Sequence, residues 1–219
     1  LDILFEENHY ARIVSKPIKN DLLNTQGEDL EVVLPSVDCI LGDKLTAFAP
    51  HTTGIPLGIG KELEIIKQMY DVAALIDVFD DFEDVYNSYM AIVETEINYR
   101  GLDISANEVL MDTIDTAACI AGRGQIGNEY PMYLAGIKSI STHIYDERYS
   151  AEKAVQSACK TMYLAACILR KSNFEKVIDC NLYLDCNIGK SNYSKLSKLR
   201  KFNAEAFAYV VKTVELLEK

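Results

Sequence analysis

The sequence predicts an α+β fold that is mainly helical, with a little sheet at the start and a bundle of helices after it. Three observations lead there. Two β-like stretches, LDILF at residues 1–5 and EVVLP at residues 31–35, come before any helical pattern. From Lys61, the run KELEIIKQMYDVAALIDVF places Ile66, Met69, Tyr70, Ala73, Ile76 and Phe79 at helical spacing, which gives one apolar stripe. Helix-compatible stretches then alternate with breakers to the end of the chain.

In the first stretch, Asp2 points to the opposite face from its neighbours Leu1 and Ile3. A two-stranded hairpin is marginal alone, so the chain is expected to begin inside a sheet. The plain alternative for Asp2 is an edge-strand charge that discourages aggregation. The first helix is expected to start at Ser36, whose hydroxyl can cap an early backbone N–H, with Ser36, Ile40 and Lys44 along one face. PHTTGIPLGIGK, residues 50–61, holds two prolines and three glycines and reads as a turn-rich connector. The second helix carries Lys67 and Asp71 one turn apart.

Further helices are expected over residues 81–99, 105–121, 130–145, 151–170, 174–186 and 193–217. Breakers fall at Arg100–Gly101, at GRGQIGNEYP and around Gly189. Ser105 and Glu108 have the spacing of a capping box, in which each side chain satisfies a backbone donor of the first turn.

With 219 residues and 49% hydrophobic content the chain can bury a real core. Its net charge of −11 and pI near 4.8 disfavour the broad basic surface that nucleic-acid binding by counterion release requires. No run has the length and apolarity of a membrane span, and the first residues lack a signal-peptide pattern, so a cytoplasmic protein is expected. The six cysteines form no CxxC pair and mostly sit among alanines and leucines, as in TAACIAG and AACILR. Structural zinc is not expected; these cysteines read as small apolar residues.

Gly122, Gly124 and Gly127 satisfy GxGxxG, but they follow a helical run, whereas a dinucleotide site needs a strand before its first turn. His9, His51 and His143 are far apart and suggest no nucleophilic triad; His51 reads as a solvated loop residue or a ligand contact. Lys190, Lys195, Lys198, Arg200 and Lys201 form a local basic strip, either a backbone contact for nucleic acid or a solvated helix face.

Lys44 and Ser36 together could offer a cation and a hydroxyl to a phosphate near a helix start. The plain alternatives are a surface lysine paired with Asp43 or a nearby glutamate, and an intrahelical Lys67–Asp71 ion pair. The pattern Ser36-xxx-Ile40-xxx-Lys44-Leu45, followed by Lys67-x-x-Tyr70-Asp71, resembles the third and fourth motifs of the AbiEii/AbiGii toxin nucleotidyltransferases, and LGDKLTAFAPHTTGIP is similar to one branch of that family. LDILF resembles the strand that carries the third carboxylate of the nucleotidyltransferase fold.

The resemblance implies that residues 1–79 are the C-terminal part of a nucleotidyltransferase domain, a remnant of its sheet plus motif-bearing helices, and that residues 80–219 are a helical domain. It implies transfer of a nucleoside monophosphate from an NTP to an acceptor, tRNA or a protein. The parent would be the toxin of a toxin–antitoxin or phage-defence pair, with an antitoxin protein as partner. Asp2 would bind Mg²⁺, Lys44 would hold the triphosphate with Ser36 and Lys67 near it, and Asp71 would be the acid of the fourth motif.

Two departures matter. Where relatives carry an acid after the first basic residue of the fourth motif, this chain has Gln68. The Gly-Ser turn and the Asp-x-Asp strand that supply the first two metal ligands have no counterpart in this chain, since Asp80–Asp81 lies in a helical context. One carboxylate cannot replace three at a two-ion site. The chain by itself is therefore expected to be inactive and to be a C-terminal portion of a longer enzyme. A degenerate, non-catalytic binding or interaction module is the alternative expectation, and a purely structural helical domain is another.

Overall fold

The computed structural model describes residues 7–19, 26–144 and 148–218. Among them, one antiparallel strand pair precedes seven α-helices, so the fold is α+β and mainly helical. Strand β1, Ile13–Pro17, pairs with β2, Glu31–Pro35, in a register that sets Ile13 opposite Pro35 and Pro17 opposite Glu31. EVVLP is thus a strand, and its partner is IVSKP. LDILF, with Asp2 in it, lies outside the described residues. β1 leaves little trace in a sequence pattern, because only Ile13 and Val14 favour a strand before Ser15, Lys16 and Pro17 intervene.

The hairpin buries little of itself: Val33 is 70% exposed. It is held at its base instead. The Arg12 carbonyl accepts from the Ser36 N–H at 3.0 Å, and the Ala11 N–H donates to Ser88 Oγ at 3.1 Å. The Arg12 guanidinium pairs with Asp38 and, at 2.8 Å, with Asp84.

The helices are α1 (Val37–Thr46), α2 (Glu62–Ile76), α3 (Phe82–Arg100), α4 (Ala106–Gly122), α5 (Tyr130–Ile140), α6 (Ala151–Arg170) and α7 (Ala204–Leu217). Most starts are set by side-chain caps. Ser36, Asp81, Ser150 and Asn203 each accept from a first-turn N–H, and Ser105 with Glu108 completes the capping box. Gly101 ends α3 in the left-handed conformation usual for a helix stop.

Three stretches differ from the sequence expectation. α5 stops at Ile140, where Ser141, Thr142 and His143 fold into a turn, with the Ser141 and Thr142 hydroxyls bonding back to Lys138 and Ser139 carbonyls. Residues 174–186 hold only a 3-10 turn at Cys180–Tyr183; their exposed Lys, Asp and Asn residues supply no continuous apolar stripe. The segment stays attached because Phe174 inserts among Phe79, Tyr163 and Tyr209, with ring centroids 4.9–6.1 Å away. Residues 193–217 break into a 3-10 helix, Ser194–Lys201, and α7, since Asn203 Oδ1 accepts from the Ala206 N–H and restarts the helix.

α6 lies at the centre, packed against α2, α4 and α7. Its Ala154, Ala158, Cys159, Ala165 and Cys167 are fully buried, and such small side chains let neighbouring helices come close. One apolar core runs from Leu41 to Val214, across the turn near residue 79. Two glycines permit tight contacts elsewhere. A Cβ at Gly42 would meet the Val85 carbonyl oxygen at 2.6 Å, and one at Gly136 would meet that of Glu62 at 2.2 Å. Among the described residues no helix is long and apolar enough to cross a membrane. The six cysteines are free, four of them buried.

Candidate functional site

α1 and α2 pack side by side, and Lys44 near the end of α1 meets Asp71 in the middle of α2. Lys44 Nζ donates to Asp71 Oδ2 at 3.0 Å, and the side chains are 35% and 28% exposed. The neighbouring Asp43 does not take Lys44; its Oδ2 accepts from the Tyr10 hydroxyl at 2.8 Å. Nor does Asp71 form the intrahelical pair with Lys67. Lys67 is exposed and has no ion-pair partner among the described residues. A half-exposed pair of this kind contributes at most about 1 kcal/mol to stability. Its chemical content is a cation held in place by a carboxylate at the surface, 27 positions apart in sequence.

Ser36 is placed differently from Lys44. It caps α1, accepting from the Cys39 N–H at 3.2 Å, is only 3% exposed, and lies 3.4 Å from Asp38 Oδ2. A buried hydroxyl beside a buried carboxylate is a poor partner for an incoming phosphate. The structure thus joins Lys44 to Asp71, leaves Lys67 one turn away and open, and seats Ser36 at the far end of α1 in a structural cap. Asp2 lies outside the described residues. Among the described residues no group of three or more His, Cys, Asp or Glu side chains is arranged to hold a metal ion.

The connector between α1 and α2 is fastened through His51, which the sequence offered as a solvated loop residue or a ligand contact, by acidic partners that no motif pointed to. The His51 N–H donates to Asp112 Oδ2 at 2.8 Å, His51 Nδ1 lies 2.6 Å from Asp112 Oδ1, and Nε2 lies 3.0 and 3.1 Å from the two Glu129 oxygens. Thr52 Oγ1 donates to Asp112 Oδ2 at 2.8 Å, and Thr113 Oγ1 donates to the Phe48 carbonyl at 3.1 Å. Burial alone would lower the His51 pKa, but the hydrogen bonds and charges of Asp112 and Glu129 outweigh it and hold the imidazolium above its ordinary range. His51 is therefore a clamp that fastens the connector to α4 and to the start of α5. Asp112 and Glu129 lie 61 and 78 positions from it, too far for any spacing rule to connect them.

Asp38 plays the same part on the other side of α1. Its Oδ1 accepts from the Asp80 and Asp81 N–H groups at 2.8 and 3.2 Å, while its Oδ2 takes Arg12. Burial pushes its carboxyl up, yet those donors prevail and hold it below the usual carboxylate range.

The GxGxxG glycines close α4 and shape the turn after it, with Gly124 and Gly127 at positive φ. No strand precedes them directly among the described residues; a helix does.

The fold and the ion pair define a mainly helical α+β protein with a lysine–aspartate site between its first two helices. No family model, curated protein or solved structure matches the chain.

Proposed function

We propose that this chain grips the phosphates of an NTP in the manner of a nucleotidyltransferase of the AbiEii/AbiGii toxin kind. The observation that carries the reading is the 3.0 Å approach of Lys44 to Asp71. The two positions that the third and fourth motifs single out converge at one half-exposed spot, although 27 residues separate them. In this reading Lys44 leaves Asp71 for the triphosphate and offsets charge as pyrophosphate departs. Asp71, relieved of its partner, orients or accepts the proton of the acceptor hydroxyl. Lys67, exposed one turn along, adds a second cation toward the phosphates.

Mg²⁺ belongs to this proposal, but the described residues do not provide its ligands, and no step is derived through it. tRNA or a protein as acceptor, a toxin's role in a defence pair and an antitoxin partner are proposals carried by the same resemblance.

A second reading has its own support. Lys44 and Asp71 neutralise each other as they stand, which suits a module that binds without turnover. Labelled NTPs, tRNA and Mg²⁺ incubated with protein expressed from the complete gene separate the two. Transfer that Lys44→Ala and Asp71→Asn abolish supports the enzyme. Absence of labelling in the wild type, or equal labelling in wild type and Lys44→Ala, refutes the roles assigned to Lys44 and Asp71.

A further inference from the structure

A groove of about 410 Å³ lies between the end of α4, the first turns of α6 and the 3-10 helix Ser194–Lys201. It shares no lining residue with the Lys44–Asp71 pair. Its walls are apolar, from Ala121, Val155, Leu196, Leu199 and Phe202, and Phe202 stands 83% exposed at its edge. A single exposed phenylalanine is ordinary on a protein surface, but here it extends the apolar wall of the recess outward.

The charged groups around the recess have one predominant sign. Arg123, Lys195 and Lys198 line it against a single carboxylate, Glu152, which Arg123 already holds at 3.0 Å. Lys195 donates to the Gln125 carbonyl at 2.7 Å, and neither Lys195 nor Lys198 has an ion-pair partner among the described residues. Two uncompensated lysines thus flank an apolar recess on a chain whose net charge is −11.

The basic strip is not a continuous face for a nucleic-acid backbone. Arg200 turns inward, donating to the Ser197 and Cys186 carbonyls at 3.1 and 3.0 Å and covering the Phe207 ring. Lys190 lines a separate recess with Tyr193 and Leu217. Lys201 is exposed and does not line the groove, which leaves Lys195 and Lys198 beside an apolar recess, a charge pattern complementary to an apolar anchor flanked by carboxylates.

We propose that this groove docks an acidic peptide segment of a partner protein, which buries one apolar side chain against Val155, Leu196 and Leu199 and sets carboxylates on Lys195 and Lys198. Phe202 folds over the anchor as the rim of the site.

The test selects binders for the full chain from a phage-displayed library of random dodecapeptides and measures the recovered peptides by fluorescence polarisation. The expected consensus is a bulky apolar residue flanked by Asp or Glu. Lys198→Glu and Phe202→Ser, both at the edge of the groove, are expected to weaken these peptides about tenfold or more, while Lys138→Glu on α5, outside the groove, leaves them unchanged. Circular dichroism of each variant verifies its fold. Four results overturn the proposal: no acidic–apolar consensus, equal affinity in Lys198→Glu, an equal loss in Lys138→Glu, or displacement of the peptides by an oligothymidylate. Concentration-dependent self-association that Lys198→Glu abolishes would overturn it too, by giving the groove to a second copy of the chain.

Discussion

Asp38 lies where three segments meet: the hairpin through Arg12, the start of α1, and the turn between α2 and α3 through the Asp80 and Asp81 N–H groups. Replacing it with alanine leaves those two donors without their acceptor. Asp38→Ala is expected to cost about 1.5–3 kcal/mol, the usual worth of hydrogen bonds to a charged group, read as a lowered midpoint in urea. Its depressed pKa adds a sign. The stability it contributes is present above the ordinary Asp range and falls away as pH drops through the folded value, so the wild type should lose its advantage over Asp38→Ala in acid. His51 works in the opposite direction, because its pKa is raised. The imidazolium's contribution is full below the ordinary His range and disappears as pH rises through the folded value. The difference in Tm between wild type and His51→Gln should therefore shrink from about pH 6 upward. A difference that stays constant, or grows with pH, would show that His51 acts through packing instead of charge.

At the scale of elements, α1 and α3 touch through Gly42, where an added Cβ would lie 2.6 Å from the Val85 carbonyl oxygen and 2.8 Å from the Tyr89 nitrogen. Backbone atoms cannot swing aside, so Gly42→Ala is expected to cost about 1–3 kcal/mol by overpacking, measured by chemical denaturation. Residues of the motif-like stretch thus have packing reasons as well. In LGDKLTAFAPHTTGIP, Gly42 admits α3, His51 clamps the connector, and Thr53 Oγ1 donates back to the Thr46 carbonyl at 2.9 Å. The capped helices were legible in the sequence: α3, α4 and α6 fall within a residue of where their capping residues put them, α6 matching at both ends, whereas α2 has no side-chain cap and follows its apolar stripe only to Ile76, short of Phe79. β1 and the break at Asn203 were not. A five-residue strand ending in Ser-Lys-Pro carries too few apolar residues to be seen, and a single asparagine cap decides whether residues 193–217 form one helix or two.

For the whole molecule, the fold class follows from local patterns, whereas the site depends on long-range placement. Lys44 and Asp71 were visible as separate residues with neighbours of opposite sign within a few positions, and nothing in their spacing chose Asp71 for Lys44 over Asp43. The crossing of α1 and α2 made that choice, with the connector pinned by Asp112 and Glu129. Neither acid is near His51 in sequence, which is why the clamp is invisible to spacing. The central claim is that Lys44 exchanges a carboxylate for a nucleotide's phosphates. Its most direct measurement is calorimetric titration of each ribonucleoside triphosphate, with Mg²⁺, into protein expressed from the complete gene and into its Lys44→Ala variant. The expected result is saturable binding of at least one NTP by the wild type, weakened roughly tenfold to hundredfold by Lys44→Ala, as loss of a charge-assisted phosphate contact implies. Undiminished NTP affinity in a folded Lys44→Ala protein, or no saturable binding of any NTP by the wild type, would contradict it.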